Sequence, residues 1–384
     1  MNFYFDARDV FRAPRLAFSG KKIWLFLKAN LFGFTVYWLV ANIALVISGY
    51  GFSNSIDQFG LYPCLFRIEE PPLVAYITYF AGITIWIMAI LYACTGVARL
   101  TIQQLKGNDS YSVNDTRKFI KEHRLPIMMS SVSVIAIALF FIAIAAFFGL
   151  LGKIPLFGEI LFALLYVIYF FGAVFTIYTL IVFMVSFIYS PAIIATMEED
   201  TMGTVFQSYS VTWSQPWRII AYNSILIPVL GINIYILKSI WIAAYKFINL
   251  IFGMDWLMGE KVRNIVAWAS DLVIPNITLF SNYQGPLAIA SKVHHIPPTL
   301  QDGMVLPMSE YFAGTLLAMV FFILLVILLS YGLSILAVGQ TLIFTIIKKK
   351  SNDENLLERP DKDSIIIDEK SVDNEEENRL TSEE

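Results

Sequence analysis

PIMMSSVSVIAIALFFIAIAAFFG, residues 126 to 149, places 24 residues in a row without one charged side chain. As a helix it rises about 36 Å at ~1.5 Å per residue, enough to cross the ~30 Å hydrocarbon layer of a bilayer. Lipid offers backbone N–H and C=O groups no water to bond, so a run like this must satisfy them internally, as a helix does. Comparable runs lie at about 23–48, 73–98, 165–190, 217–238 and 312–347. The expected fold class is an all-α polytopic membrane protein with about six transmembrane helices. The 57% hydrophobic and 15% charged content, with mean hydropathy +0.66, lies outside the soluble globular range. A transmembrane β-barrel would show alternating segments of ~10 residues instead.

Two spans are irregular. GKIPLFGEILFALL (152–165) runs directly into the fourth. Either one helix projects beyond the bilayer or residues 155–163 form a short interfacial piece, and Gly158 with Glu159 favour the second. The fifth carries Pro228 and Gly231, so a kink is expected there.

Lys and Arg set the orientation. Arg8, Arg12, Arg15, Lys21 and Lys22 precede the first span. Arg99, Lys106, Arg117, Lys118, Lys121 and Arg124 lie between the second and third, and Arg218 and Lys348–Lys350 join that side. Both termini are therefore expected in the cytoplasm of a multi-pass cell-membrane protein, of bacterial inner-membrane type. The first apolar run, Ile23 to Ile47, is too long for a cleavable leader and lacks a small-residue cleavage site. Cys64 and Cys94 fall on opposite sides and are not expected to pair.

The membrane domain is expected to cover 1–350, with an outer cap or loop at about 250–311. Within that cap MGEKVRNIVAWASDLV (258–273) reads as an amphipathic helix. Residues 351–384 hold 13 acids and 4 bases, against 17 acids and 23 bases in the rest. Acidic and without aromatics, this tail is expected to be a disordered cytoplasmic segment.

VFQSYSVTWSQPW (205–217) is neither apolar enough to span nor polar enough for a plain loop. On a helix Met202, Val205, Phe206, Tyr209 and Trp213 share one face. Asp200 is placed to cap it, and Pro216 to end it. The expected result is an amphipathic helix lying in the cytoplasmic headgroup layer, with Trp217 and Arg218 anchoring the next span. VFRAPRLAFS (10–19) matches VFQSYSVTWS (205–214) at Val10, Phe11, Phe18 and Ser19. With NDTRKFIKEHR (114–124) as a weaker third copy, the chain reads as three repeated helix–span–span units. The residues expected to contact the membrane interface are Phe11, Phe18, Val205, Phe206, Tyr209, Trp213 and Trp217.

SPAIIATMEEDTMGTVFQSYSVTWSQPWR (190–218) has a proline after a span, an acidic cluster, an amphipathic helix and a basic-aromatic entry to the next span. In this it resembles poorly characterised prokaryotic six-span membrane families. One of these is the membrane domain fused to some glycerophosphodiester phosphodiesterases. The likeness covers mainly 190–235 and, more faintly, 5–45. It implies the architecture and carries over no catalytic residue, and no phosphodiesterase catalytic domain is present.

Chemistry is sparse. No nucleophile elbow, HExxH, P-loop or GxGxxG occurs. His123 sits in a basic loop, and His294 and His295 lack accompanying ligands, so no catalytic, cofactor or metal site is expected. Asn30, Asn42, Asn223, Asn233 and Gln340 are the neutral polar groups in the spans, where such residues usually bond neighbouring helices. The expected function is a non-enzymatic structural, assembly or partner-binding component. Its partners would be the lipid bilayer and a protein reached through the acidic tail or outer cap, with no nucleic acid. The alternative is a transporter or scramblase for lipid-like or apolar substrates, with Asn223 and Asn233 lining a cavity. A lipid enzyme would need clustered acids at one interface, and only Glu159 and residues 198–200 qualify.

Overall fold

The structure, a computed structural model, describes residues 3–68, 70–108, 110–273 and 306–361. Among these every regular element is helical. They are α1 (Ala7–Val10), α2 (Ala13–Ala17), α3 (Gly20–Ile47), α4 (Phe52–Phe59), a 3-10 turn (Leu65–Arg67), α5 (Leu73–Leu105) and α6 (Val113–Glu122). After them come α7 (Arg124–Leu151), α8 (Phe157–Met197), α9 (Thr201–Ser214), α10 (Pro216–Phe252), α11 (Glu260–Val273) and α12 (Met308–Asn352). Six of these, α3, α5, α7, α8, α10 and α12, are long and apolar enough to cross a membrane.

The fourth span corrects the expectation of a separate interfacial piece at 155–163. α8 is one helix of 41 residues, about 60 Å long. Its N-terminal half stays helical because it packs on α7: Phe141 meets Phe175 at 4.9 Å and Phe148 meets Tyr169 at 5.7 Å. Pro191 and Pro228 both sit inside helices that continue past them. Cys64 and Cys94 are free. Within 258–273, the stretch expected to form an amphipathic helix, α11 runs from Glu260 to Val273. Residues 274–305, with His294 and His295, lie outside the described residues.

The chain divides into two compact units. The first is Met1–Leu25, Leu91–Leu230 and Leu333–Glu384, and the second is Phe26–Ile90 and Gly231–Gly332. In the second, Ala41, Ala44, Leu45, Phe59, Leu65, Ala75 and Tyr79 form one apolar cluster, and Ala269, Val273 and Ala318 another. Trp86 Nε1 donates to Asn30 Oδ1 (3.3 Å), and Asn30 Nδ2 donates to Ser330 Oγ (3.2 Å). Asn30 thus ties three helices together without a charge.

In the first unit α7, α8 and α9 pack together around Val134, Val182 and Val205. Asp200 caps α9 as expected, its Oδ1 accepting from Gly203 N at 2.7 Å. The faces of α9 need a correction. Met202, Phe206 and Trp213 are exposed, but Val205 is only 4% exposed and Tyr209 is half-buried. Tyr209 bonds Thr179 Oγ1 through its hydroxyl at 3.1 Å, so it serves packing and not lipid contact. The buried face is Thr204, Val205, Ser208, Val211 and Thr212. It tolerates burial because the Thr204, Ser208 and Thr212 hydroxyls donate to the carbonyls of Asp200, Thr204 and Ser208. Small, self-satisfied hydroxyl residues let helices approach closely. Ser208→Leu is therefore expected to destabilise by about 1–2 kcal/mol through overpacking, against under about 0.5 kcal/mol for Phe206→Ser. Unfolding of the detergent-solubilised protein gives the ranking, and the reverse order would place the packing face wrongly.

Each of α3, α7 and α10 is preceded by a short helical element: α1 and α2, α6, and α9. Across 10–19 and 205–214 the exposure pattern runs in parallel. Val10, Ala13, Leu16 and Ala17 are buried like Val205, Ser208, Val211 and Thr212, while Phe11 and Phe18 are exposed like Phe206 and Trp213. Residues 10–19 are broken into two helical pieces where 205–214 is continuous, with Pro14 in the first turn of the second piece, α2. In 114–124, the stretch expected as a weaker third copy, Phe119 is buried, unlike Phe11 and Phe206.

Candidate functional site

Among the described residues of the first unit, a set of ion pairs gathers where α5, α6, α8 and the segment after α12 meet. Its centre is Arg99, near the C-terminal end of α5 and 3% exposed. The guanidinium carbon lies 4.5 Å from the ring centre of Phe119 on α6 and 5.9 Å from that of Tyr111. A planar, weakly hydrated cation stacks on such faces more readily than an ammonium does.

Two carboxylates meet this guanidinium. Nη1 pairs with Glu198 Oε1 at 2.8 Å and donates to the Ala195 carbonyl at 3.2 Å. Nη2 pairs with Asp361 Oδ2 at 3.2 Å. Nε is buried and meets no partner at hydrogen-bonding geometry. Glu198 caps α8 in the left-handed region, φ 55°. That conformation is strained for a residue with a Cβ, by about 1 kcal/mol, and here it coincides with the ion pair to Arg99.

Asp361 is the second focus. Its Oδ1 pairs with Lys106 Nζ at 2.7 Å, and Gln103 Nε2 donates to Oδ2. Lys106 also donates to the Arg359 carbonyl at 2.7 Å. Arg359 pairs with Glu354 (3.1 Å) and Glu199 (3.9 Å), and Lys348 donates to Gln207 Oε1 (2.6 Å). Leu356 is fully buried within the same segment. The expectation of a tail without packed structure from 351 onward is thus corrected at its start. α12 continues to Asn352, and 353–361 is held by ion pairs and one apolar anchor. Residues 362–384 lie outside the described residues.

The sequence reading gave Arg99 only a role in orientation, and Glu198 and Glu199 only a role beside the α9 dipole. The signal that would have found the site is Leu356-Leu357 beside Arg359-Pro360-Asp361, a pair of apolar side chains with an ion-pairing set inside an otherwise acidic tail.

Burial opposes ionisation of Asp361, but Lys106, Arg99 and Gln103 outweigh it and hold the carboxyl below its ordinary value. A carboxyl depressed in the folded state adds stability above its unfolded value, and that contribution is lost as pH falls through the folded one. Wild type should therefore lose stability relative to Asp361→Asn below about pH 4. Unfolding midpoints of both proteins between pH 7 and 3 test this, and parallel curves would show that the carboxylate contributes nothing.

The other predicted site residues are dispersed. Phe11, Phe18, Phe206, Trp213 and Trp217 are exposed. The cavity-lining expectation for Asn223 is corrected. Its Nδ2 donates to Tyr189 OH and Gln340 Nε2 donates to its Oδ1, both at 2.7 Å, so it joins helices. Asn233 is half-buried and falls in the other compact unit. Among the described residues no group of three or more His, Cys, Asp or Glu side chains is placed to hold a metal.

Compared with known proteins, the chain matches no family model, no curated protein and no solved structure, so the clamp and the helices around it stand on their own geometry.

Proposed function

We propose that this is a non-enzymatic, multi-pass component of a cell membrane that engages a protein partner through its C-terminal tail on the cytoplasmic side. The observation that carries the reading is the clamp on 353–361. An idle tail would gain nothing from burying Arg99 between two carboxylates, since taking these charges out of water costs several kcal/mol per ion. Fixing the root of the tail gives the residues beyond Asp361 one defined exit, which lowers the ordering cost of their binding. The pairing of Asn223 with Tyr189 and Gln340, and of Asn30 with Ser330 and Trp86, also supports a packed membrane domain over a carrier.

Crosslinking in native membranes, followed by purification of the full chain and of a chain ending at Asp361, tests the reading. The full chain is expected to retain a partner that the shortened one loses, both being inserted and equally stable. An identical set of crosslinks, or lipid movement by the purified protein in vesicles, would overturn it.

A further inference from the structure

We propose that the corner formed by Arg99, Lys106 and Gln103 is a binding site for a phosphate group, and that Asp361 is its intramolecular substitute. This rests on the clamp reading above and goes beyond it, because a clamp needs only ion pairs, whereas this one leaves a donor over.

On a guanidinium, Nε and Nη2 share the edge that takes an anion side-on through two oxygens. Asp361 uses only half of that edge. Its Oδ2 meets Nη2, while Oδ1 turns away to Lys106. Arg99 Nε is left buried and unbonded on a residue that is only 3% exposed. The Tyr111 hydroxyl is a side-chain hydrogen-bonding neighbour of the guanidinium, but no acceptor meets Nε itself at hydrogen-bonding geometry. A buried donor without a partner normally costs about 1–3 kcal/mol, so it asks for an acceptor. A carboxylate has two oxygens to offer three donor groups. Inorganic phosphate has four and a phosphomonoester headgroup three non-bridging ones, enough for Nε, Nη2 and Lys106 at once, with Gln103 as a fourth, neutral donor.

The charges agree. Residues 353–361 contain Asp353, Glu354, Glu358 and Asp361 against Arg359. With that segment displaced, Arg99, Lys106 and Lys348 face only Glu198 and Glu199 among the ion-paired groups of the site. Among these groups the balance turns from even, Arg99, Lys106, Lys348 and Arg359 against Glu198, Glu199, Glu354 and Asp361, to an excess of one positive charge. A phosphate at the corner and the tail at the clamp are therefore competing occupants, so phosphate binding would free the tail root.

The phosphate could be inorganic or the headgroup of an anionic lipid, and two arms separate these sources. The full-length protein carrying Asp361→Ala is titrated in micelles with inorganic phosphate at constant ionic strength. The same protein is also unfolded in nanodiscs containing phosphatidic acid or only phosphatidylcholine. The vacated site is expected to raise the unfolding midpoint by roughly 2–4 °C at phosphate tenfold above its dissociation constant. Wild type, with Asp361 in place, should move by less than about 1 °C. A rise in micelles identifies free phosphate, and a rise confined to phosphatidic acid identifies the headgroup. Adding Lys106→Gln to Asp361→Ala should remove the rise, and Asp361→Asn replaces Asp361→Ala if that variant does not fold. No rise in either arm, or a rise that survives Lys106→Gln, overturns the proposal. The partner reading is tested separately by the chain ending at Asp361, so either can fail alone.

Discussion

Replacing Arg99 by Met is expected to destabilise the protein by about 3–5 kcal/mol and to release the segment 353–361. Met keeps an unbranched apolar stem but removes the guanidinium that lies over Phe119 and bridges Glu198 and Asp361. Glu198 is then a carboxylate at 8% exposure without its guanidinium, in a conformation already strained by its positive φ. Removing one partner of a buried ion pair leaves the other's desolvation uncompensated, which is why the expected loss exceeds that of a surface pair. Asp361 keeps Lys106 and Gln103, so the segment should loosen and not vanish from the site. Cleavage after the exposed Glu358 by a glutamate-specific protease reads that loosening directly, and it should be at least tenfold faster in Arg99→Met. Arg99→Lys should fall between the two, since an ammonium keeps the charge but cannot hold two carboxylates on two edges. Adding Asp361→Asn to Arg99→Met should cost less than the sum of the single changes, because both break one network. Additive losses, with unchanged cleavage, would show that Arg99 and Asp361 act independently and would remove the clamp.

The architecture was legible because lipid imposes it locally. Charge-free runs of about 20 residues leave few alternatives, and all six were found with the helices extending beyond the apolar runs. The projection of α8 to Phe157 was misjudged because Gly158 and Glu159 look like a break, while the helix is held by its aromatic contacts to α7. The face of α9 was misassigned for a related reason. Apolar periodicity groups Val205 and Tyr209 with Phe206 and Trp213 on one face, yet Phe206 and Trp213 are exposed while Val205 is buried with Ser208 and Thr212 and Tyr209 is half-buried. The clamp was not legible because it joins positions far apart in sequence, Arg99, Glu198 and Asp361. One of them lies in a segment whose composition reads as unstructured. Local periodicity carries no information about such pairings.

Gly33→Leu is expected to be the most damaging change in the second unit, at about 3 kcal/mol or more, with Gly33→Ala at about 1–3 kcal/mol. Gly33 is buried on α3, one turn after Asn30, and a Cβ there would stand 2.2 Å from Trp86 Cδ1 and 2.8 Å from Cγ. The indole cannot simply move aside. It packs edge-on against Phe34 at 5.8 Å and beside Tyr37 at 5.6 Å, and its Nε1–H is bonded to Asn30. Pushing Trp86 away breaks that bond and, through Asn30, weakens the contact to Ser330. The direction is informative because helix propensity points the other way: Ala is favoured over Gly by up to ~1 kcal/mol inside a helix. Gly172 on α8 supplies the comparison, since a Cβ there meets nothing within 4 Å. Gly172→Ala should therefore leave stability unchanged or raise it, while Gly33→Ala lowers it. Unfolding both variants in the same detergent decides the matter. If both changes shift stability in the same direction, close approach of α5 to Gly33 is not what holds these helices together, and the small-residue contact must be replaced by another account of their packing.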